Sequence, residues 1–199
     1  ALSCTDLDLS PLSEGSSENW YSNETEIEMA VNDLFRHAFW PIYNDEWTDD
    51  YTRRELTTPI TNATINGEWG TVSSIWTNSY KAISRANTVL LNLEEVEGIP
   101  ESVIGKFKGN AHFVRAAQYA ELIFLYGDVI FTKDVIDIEQ AFTMSRTSKN
   151  QILEEIYTDY DLAISLLPVS YGNSENKLAT KGAALAMKAR IALAMGDYA

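Results

Sequence analysis

The stretch GNAHFVRAAQYAELIFLYGDV, residues 109–129, decides the fold. Extended back to Glu101, it places Ile104, Phe107, Ala111, Val114, Gln118, Leu122 and Leu125 on one face at helical spacing. Pro100 stands before this run and Gly127 after it, so the spacing predicts one long helix over 101–126. Ala116, Ala117 and Ala120 make a second face small. Small side chains let a neighbouring helix approach closely, so this helix is expected to pack on two sides.

The flanking sequence supplies the neighbours. Asn23 is placed to cap a first helix, with Glu26 three residues on as in a capping box. Ile27, Val31, Leu34, Phe35, Ala38 and Phe39 continue it at helical spacing until Pro41. Periodicity resumes over 72–94, where Val72, Trp76, Tyr80, Ile83, Asn87 and Leu90 share a face, which assigns Trp76 and Tyr80 to the core. Residues 128–147 read as a loop with a candidate short strand over 129–132. Thr147 or Ser148 starts a helix carrying Ile152, Ile156, Ala163 and Leu167, which Pro168 ends. Thr180 caps a last helix closed by Gly196, and Asp197, Tyr198 and Ala199 read as the first turn of another. The fold class is therefore all-α: helix pairs resembling tetratricopeptide hairpins, interrupted by long irregular loops and without a clean 34-residue period. The chain reads as a fragment of something longer.

The 199 residues carry a net charge of −14, and residues 1–60 hold 13 Asp and Glu against 3 Lys and Arg. Such a chain repels phosphate backbones and anionic headgroups, which argues against nucleic acid as a partner. One cysteine excludes an internal disulfide framework and a cysteine-based metal site. His37 and His112 lie far apart with no metal-binding spacing and read as surface or packing residues. No run approaches the roughly 18 apolar residues that span a bilayer. The cysteine is Cys4, preceded by Ala1, Leu2 and Ser3. A small residue and a leucine ahead of Cys match the tail of a bacterial lipoprotein signal, after which the thiol is lipidated; the alternative is an incidental surface thiol. Thr5 to Asn19 is rich in Ser, Asp, Glu and Pro and has too little apolar surface to fold alone. The organisation is thus an anchor and tether over 1–19 and a helical domain over 20–199, truncated at its C-terminus.

Five motifs occur together in order. They are Cys4-x-Asp6 with Pro11; Trp76, Tyr80, Ile83, Arg85, Ala86 and Asn87; the 109–129 stretch; Arg146-x-Ser148 followed by Ile156, Asp159 and Ala163 to Pro168; and Thr180-Lys181-x-Ala183-Ala184 through Arg190 to Gly196-Asp197-Tyr198. On these residues the chain resembles the N-terminal part of SusD/RagB-type outer-membrane lipoproteins of Bacteroidetes. It departs from the pattern at Ile130, where the family often has Pro, at Tyr160, where it often has Leu, and near Lys177, where an Arg is usual. The resemblance implies a tetratricopeptide-like helical fold, lipid anchoring at Cys4 on the outer face of the outer membrane, and a SusC-like TonB-dependent transporter as partner. It also implies capture of oligosaccharides, in some members peptides, for that transporter.

A sugar site needs aromatic platforms for the apolar face of a pyranose and polar side chains for its hydroxyls. The segment WPIYNDEWTDDYTRRELTTPITNATINGEWG, residues 40–70, lacks helical periodicity and holds both. The candidate platforms are Trp47, Tyr51 and Trp69, with Asp49, Arg53 and Asn66 as polar partners. Asp45, Glu46, Asp49 and Asp50 lack the order of a calcium loop and read as a solvated acidic stretch, so no metal and no cofactor is assigned. No nucleophile elbow, phosphate loop or zinc motif is present, and the chain does not read as an enzyme. Arg115 and Arg190 are expected to be buried and paired with acids, and Asn87 to hydrogen-bond the backbone of a neighbouring loop. The alternative to a glycan-binding lipoprotein is a helical-repeat scaffold that binds peptide or protein along a helical groove. A glycan binder should expose at least two rings on one open surface, whereas a scaffold should bury them.

Overall fold

The computed structural model describes residues 20–40, 47–48, 58–172 and 178–198. Among them six α-helices follow in order: α1 (Glu24–Asp33), α2 (Gly70–Asn92), α3 (Glu101–Tyr126), α4 (Ile138–Thr143), α5 (Lys149–Leu166) and α6 (Lys181–Met195). Two short strands, β1 (Val129–Ile130) and β2 (Arg146–Thr147), pair antiparallel with Val129 opposite Thr147. The all-α reading holds, and the candidate strand in the 128–147 loop is β1.

The central helix is α3. Its expected bounds are the observed ones, and 16 of its 26 residues are buried because it packs against α2 on one side and α5 on the other. The small face admits α5: a Cβ added at Gly109 would stand 3.0 Å from the Cβ of Leu166 and 3.1 Å from side-chain carbons of Leu167. The large face supplies the core, with Phe107, Val114, Tyr119 and Leu122 almost fully enclosed.

Buried polar side chains tie this core to its loops. Arg115, on α3, donates to both carboxylate oxygens of Asp159 on α5, at 2.7 Å each, and to Oδ1 of Asn87 on α2 at 2.9 Å. Asn87 in turn donates to the carbonyl of Asp134 at 3.0 Å, as expected of it. His112 does not stand as a lone packing residue: its Nδ1 lies 2.9 Å from Oδ1 of Asp159. Burial alone would raise the Asp159 carboxyl, but the hydrogen bonds from Arg115 and His112 outweigh it and hold it below its ordinary value.

Four expectations are corrected. The first helix stops at Asp33, not at Pro41; Arg36 is extended, and a 3-10 turn over His37–Phe39 carries Phe39 into the core instead. Asn23 caps α1 by accepting from Glu26, while Glu26 reaches back to the N–H of Ser22. Residues 138–143, read as loop, form α4, closed by a capping box between Asp137 and Gln140. Arg190 is exposed, because only Ala184 and Ile191 of α6 are buried. Asp197 is not helical; its N–H bonds the carbonyl of Ala192 and its carboxylate accepts from the Tyr157 hydroxyl. No described helix is long and apolar enough to cross a membrane.

Candidate functional site

The segment leading into α2 is built from side-chain turns. Thr58 and Thr61 exchange N–H to Oγ1 bonds, and Asn62 Oδ1 accepts from both the N–H and the hydroxyl of Thr64. Asn66 makes the next turn, accepting from the N–H of Glu68 at 2.9 Å while its carbonyl accepts from Trp69. Short polar side chains that mimic a backbone turn hold such a segment without a core of its own. Trp69 then occupies the N-cap of α2, where no side chain caps the first turn.

Here the Trp69 ring meets Trp47, with centroids 5.9 Å apart and planes at 57°. Both indoles are half-buried. At that separation the rings touch, so nothing fits between them and they form one corner instead of a sandwich. They wall a cavity of about 500 Å³ against the start of α2. Along its floor run Thr71, Ser74, Asn78 and Ser79, which can donate to and accept from hydroxyls. Gly70 also lines the cavity, and a Cβ there would meet nothing within 4 Å.

The back wall is rigid. Phe39 lines the cavity and has the guanidinium of Arg85 over its ring at 5.0 Å. Its carbonyl accepts from Nε2 of Gln118 at 2.8 Å, and Asp33 holds Arg85 at 3.1 Å. Next to it Trp40, Phe35 and Phe113 form a three-ring cluster with centroids 5.8–6.4 Å apart, and the Trp40 Nε1–H donates to the Leu34 carbonyl. The aromatic corner therefore shares its cavity with a turn that Gln118 anchors to α3.

Of the sequence candidates, Trp47 and Trp69 come together at this cavity, and Asn66 lies on the turn that delivers Trp69. Asp49, Tyr51 and Arg53 lie outside the described residues, as do Cys4 and the Asp45, Glu46 and Asp50 of the acidic stretch. Among the described residues no cluster of His, Cys, Asp and Glu could hold a metal ion. The floor residues of α2 went unnoticed in the sequence, although Ser74, Asn78 and Ser79 break its apolar pattern on one side.

A second cavity, about 600 Å³, opens on another face of α2 beneath residues 130–141. Trp76, Tyr80, Ile83, Ile130 and Ile136 give it mostly apolar walls. Trp76 and Tyr80 are thus half-buried at a cavity wall instead of in the core interior. The cover is pinned: Tyr80 donates its hydroxyl to the Ile130 carbonyl at 2.7 Å, and Tyr119 to that of Thr132 at 2.9 Å. Burial raises both phenols, Tyr119 to about 12, so they remain donors at physiological pH.

Comparison with known proteins agrees with this fold. Residues 9–193 match the model of the SusD-like family described as "Starch-binding associating with outer membrane", and the chain belongs to that family. SusD-like protein P2 of Formosa agariphila is 24% identical over 98% of this chain and 41% of its own length. A SusD-like protein from Bacteroides fragilis superposes with a TM-score of 0.74 at 27% identity, over 89% of this chain and 36% of that one. A laminarin-binding SusD-like protein superposes with a TM-score of 0.73 at 23% identity, over 88% of this chain and 41% of that one. The chain thus spans about two-fifths of the length of these relatives. The family is a carbohydrate-binding one associated with the outer membrane.

Proposed function

We propose that this chain is the N-terminal part of a surface lipoprotein that captures oligosaccharides and passes them to a SusC-like TonB-dependent transporter. Residues 1–19 serve as anchor and tether, with the lipid on Cys4, and residues 20–199 form the first part of the binding domain. The observation that carries the reading is the Trp47–Trp69 corner over a floor of hydroxyl and amide groups. One indole covers the C–H face of a sugar ring, the other meets its edge, and the floor takes up its hydroxyls. Asp49, Tyr51, Arg53 and the Asn66 amide nitrogen complete the contacts. Family membership and the laminarin-binding neighbour support a glycan as the ligand. The chain binds and does not catalyse.

The test is a glycan panel that includes starch and laminarin oligosaccharides, probed with the lipid-free full-length protein and its Trp47→Ala and Trp69→Ala variants. Binding at least about tenfold weaker in either variant is expected, a loss of about 1.4 kcal/mol. Unchanged binding in both would remove the site from this corner. The apolar cavity under residues 130–141 favours a second reading, a peptide ligand. That reading gains if the glycan panel is silent and a peptide panel gives binding sensitive to Tyr80→Ala.

A further inference from the structure

The apolar cavity beneath residues 130–141 and the tryptophan corner share one helix, and their rims meet on its exposed side. Thr77, Lys81 and Ser84 of α2 border the apolar cavity, while Ser74 and Asn78 border the corner. Ser74 precedes Thr77, and Asn78 precedes Lys81, by three positions in the sequence. Side chains so spaced are neighbours on a helix surface, about 5–6 Å apart at Cβ. Ser74, Thr77, Lys81 and Ser84 are all exposed, so the ridge between the two cavities is open. One ligand can therefore reach from the corner into the apolar cavity across a single turn of α2.

The inside of that cavity is built for a group without hydroxyls. Its polar side chains are already committed: Tyr80 donates to the Ile130 carbonyl, Asn87 donates to that of Asp134 and accepts from Arg115, and Arg85 pairs with Asp33. A second sugar ring there would bury hydroxyls without partners, which is costly. The walls are aromatic and fixed. The Trp76 and Tyr80 rings stand 5.0 Å apart, the Tyr126 ring meets Trp76 at 5.2 Å and 85°, and the Arg146 guanidinium lies 5.6 Å from the Trp76 centroid. With Ile83, Ile130 and Ile136 they enclose about 600 Å³, ample for a flat ring. The mouth differs from the interior, because Thr77, Lys81 and Ser84 can donate to a carbonyl oxygen. The chain's net charge of −14 disfavours a free acid, so the ring is expected to arrive in neutral form.

We propose that the ligand class is an oligosaccharide esterified with an aromatic acid. Its aryl group fills the apolar cavity against Trp76 and Tyr80, its ester carbonyl accepts from the α2 ridge, and the sugar that carries the ester rests in the Trp47–Trp69 corner. The proposal rests on the glycan reading given above and names the substrate class of that site.

The probes are maltohexaose and laminarihexaose, each free and as its set of mono-cinnamoyl esters, titrated by calorimetry into the lipid-free full-length protein. The esters of the bound sugar should bind at least about tenfold more tightly than their free parent. Ala141→Trp fills the cavity from an exposed position on its cover, so the fold is retained. It should remove the gain and leave binding of the free oligosaccharide unchanged, whereas Trp47→Ala should weaken both. Esters that bind no better than a free parent which does bind would overturn the proposal and leave the glycan reading standing. A gain that survives both Ala141→Trp and Ile136→Trp would also overturn it, by placing the ring elsewhere. Silence from every free and esterified glycan would remove the glycan reading itself, and the proposal with it.

Discussion

Arg115 and Asp159 meet in a two-point contact, Nε to Oδ2 and Nη2 to Oδ1, both at 2.7 Å, and this joins α3 to α5 inside the core. Both side chains are almost fully buried. An ion pair enclosed in this way adds little over an apolar pair of the same size, but removing one partner strands the other. Arg115→Met should therefore cost about 3–5 kcal/mol in urea denaturation at pH 7. The double variant Arg115→Met with Asp159→Leu should recover a large part of that loss. A single variant as stable as the parent would show that the pair does not hold the helices.

The same contact sets an acid limit. Asp159 titrates below its ordinary 3.8 in the folded chain. Its stabilising contribution is complete above that ordinary value and is lost as pH falls through the depressed one. Thermal midpoints taken from pH 6 down to pH 2 should fall steeply at the acid end. Asp159→Asn should start lower at pH 6 and decline less below pH 4, and parallel curves would contradict this.

Gly109 marks the closest approach of α3 and α5. A Cβ there already meets Leu166 at 3.0 Å, and a branched side chain would push the helices apart. Gly109→Val should destabilise by about 1–3 kcal/mol, read as a lower urea midpoint with an unchanged circular dichroism spectrum. Gly67→Ala serves as the control, because a Cβ there has open space.

The touching indoles of Trp47 and Trp69 should act as one unit. If each alanine variant weakens glycan binding about tenfold, independent sites would give about a hundredfold loss in the double variant. The shared corner predicts less than that product, because the first substitution already opens it. Titration calorimetry of the four proteins against one oligosaccharide measures the coupling, and strict additivity would mean two separate contacts.

How much of this was legible in the sequence depends on how local its cause is. The bounds of α3 follow from Pro100 and Gly127, and those of α6 from Thr180 and Gly196, all within a residue or two of the helix ends. The first helix was read too long because the 3-10 turn happens to bring Phe39 inward at a spacing that mimics helix. Helix α4 is six residues long and exposes Ile138 and Phe142, so no apolar periodicity reveals it; the Asp137–Gln140 capping box was the available signal. Arg190 was misplaced because α6 is apolar on nearly all sides, which hides the face that is buried. The meeting of Trp47 with Trp69, 22 positions apart, depends on how the chain packs against α2 and on no local pattern.

Glu121 gives the last test, with a sign opposite to that of Asp159. Its carboxyl is raised from an ordinary 4.5 to about 7 by burial, against the pull of Arg190. Below about pH 4 the group is protonated in both folded and unfolded chains and costs nothing. As pH rises toward 7 the unfolded chain ionises first, so the folded state loses stability until its own carboxyl ionises. Glu121→Gln removes that loss. In the 1–199 chain it should gain on the order of 2 kcal/mol at pH 8 and almost nothing at pH 4. Denaturation curves at the two pH values check this, and an equal effect at both would place the carboxylate in contact with water.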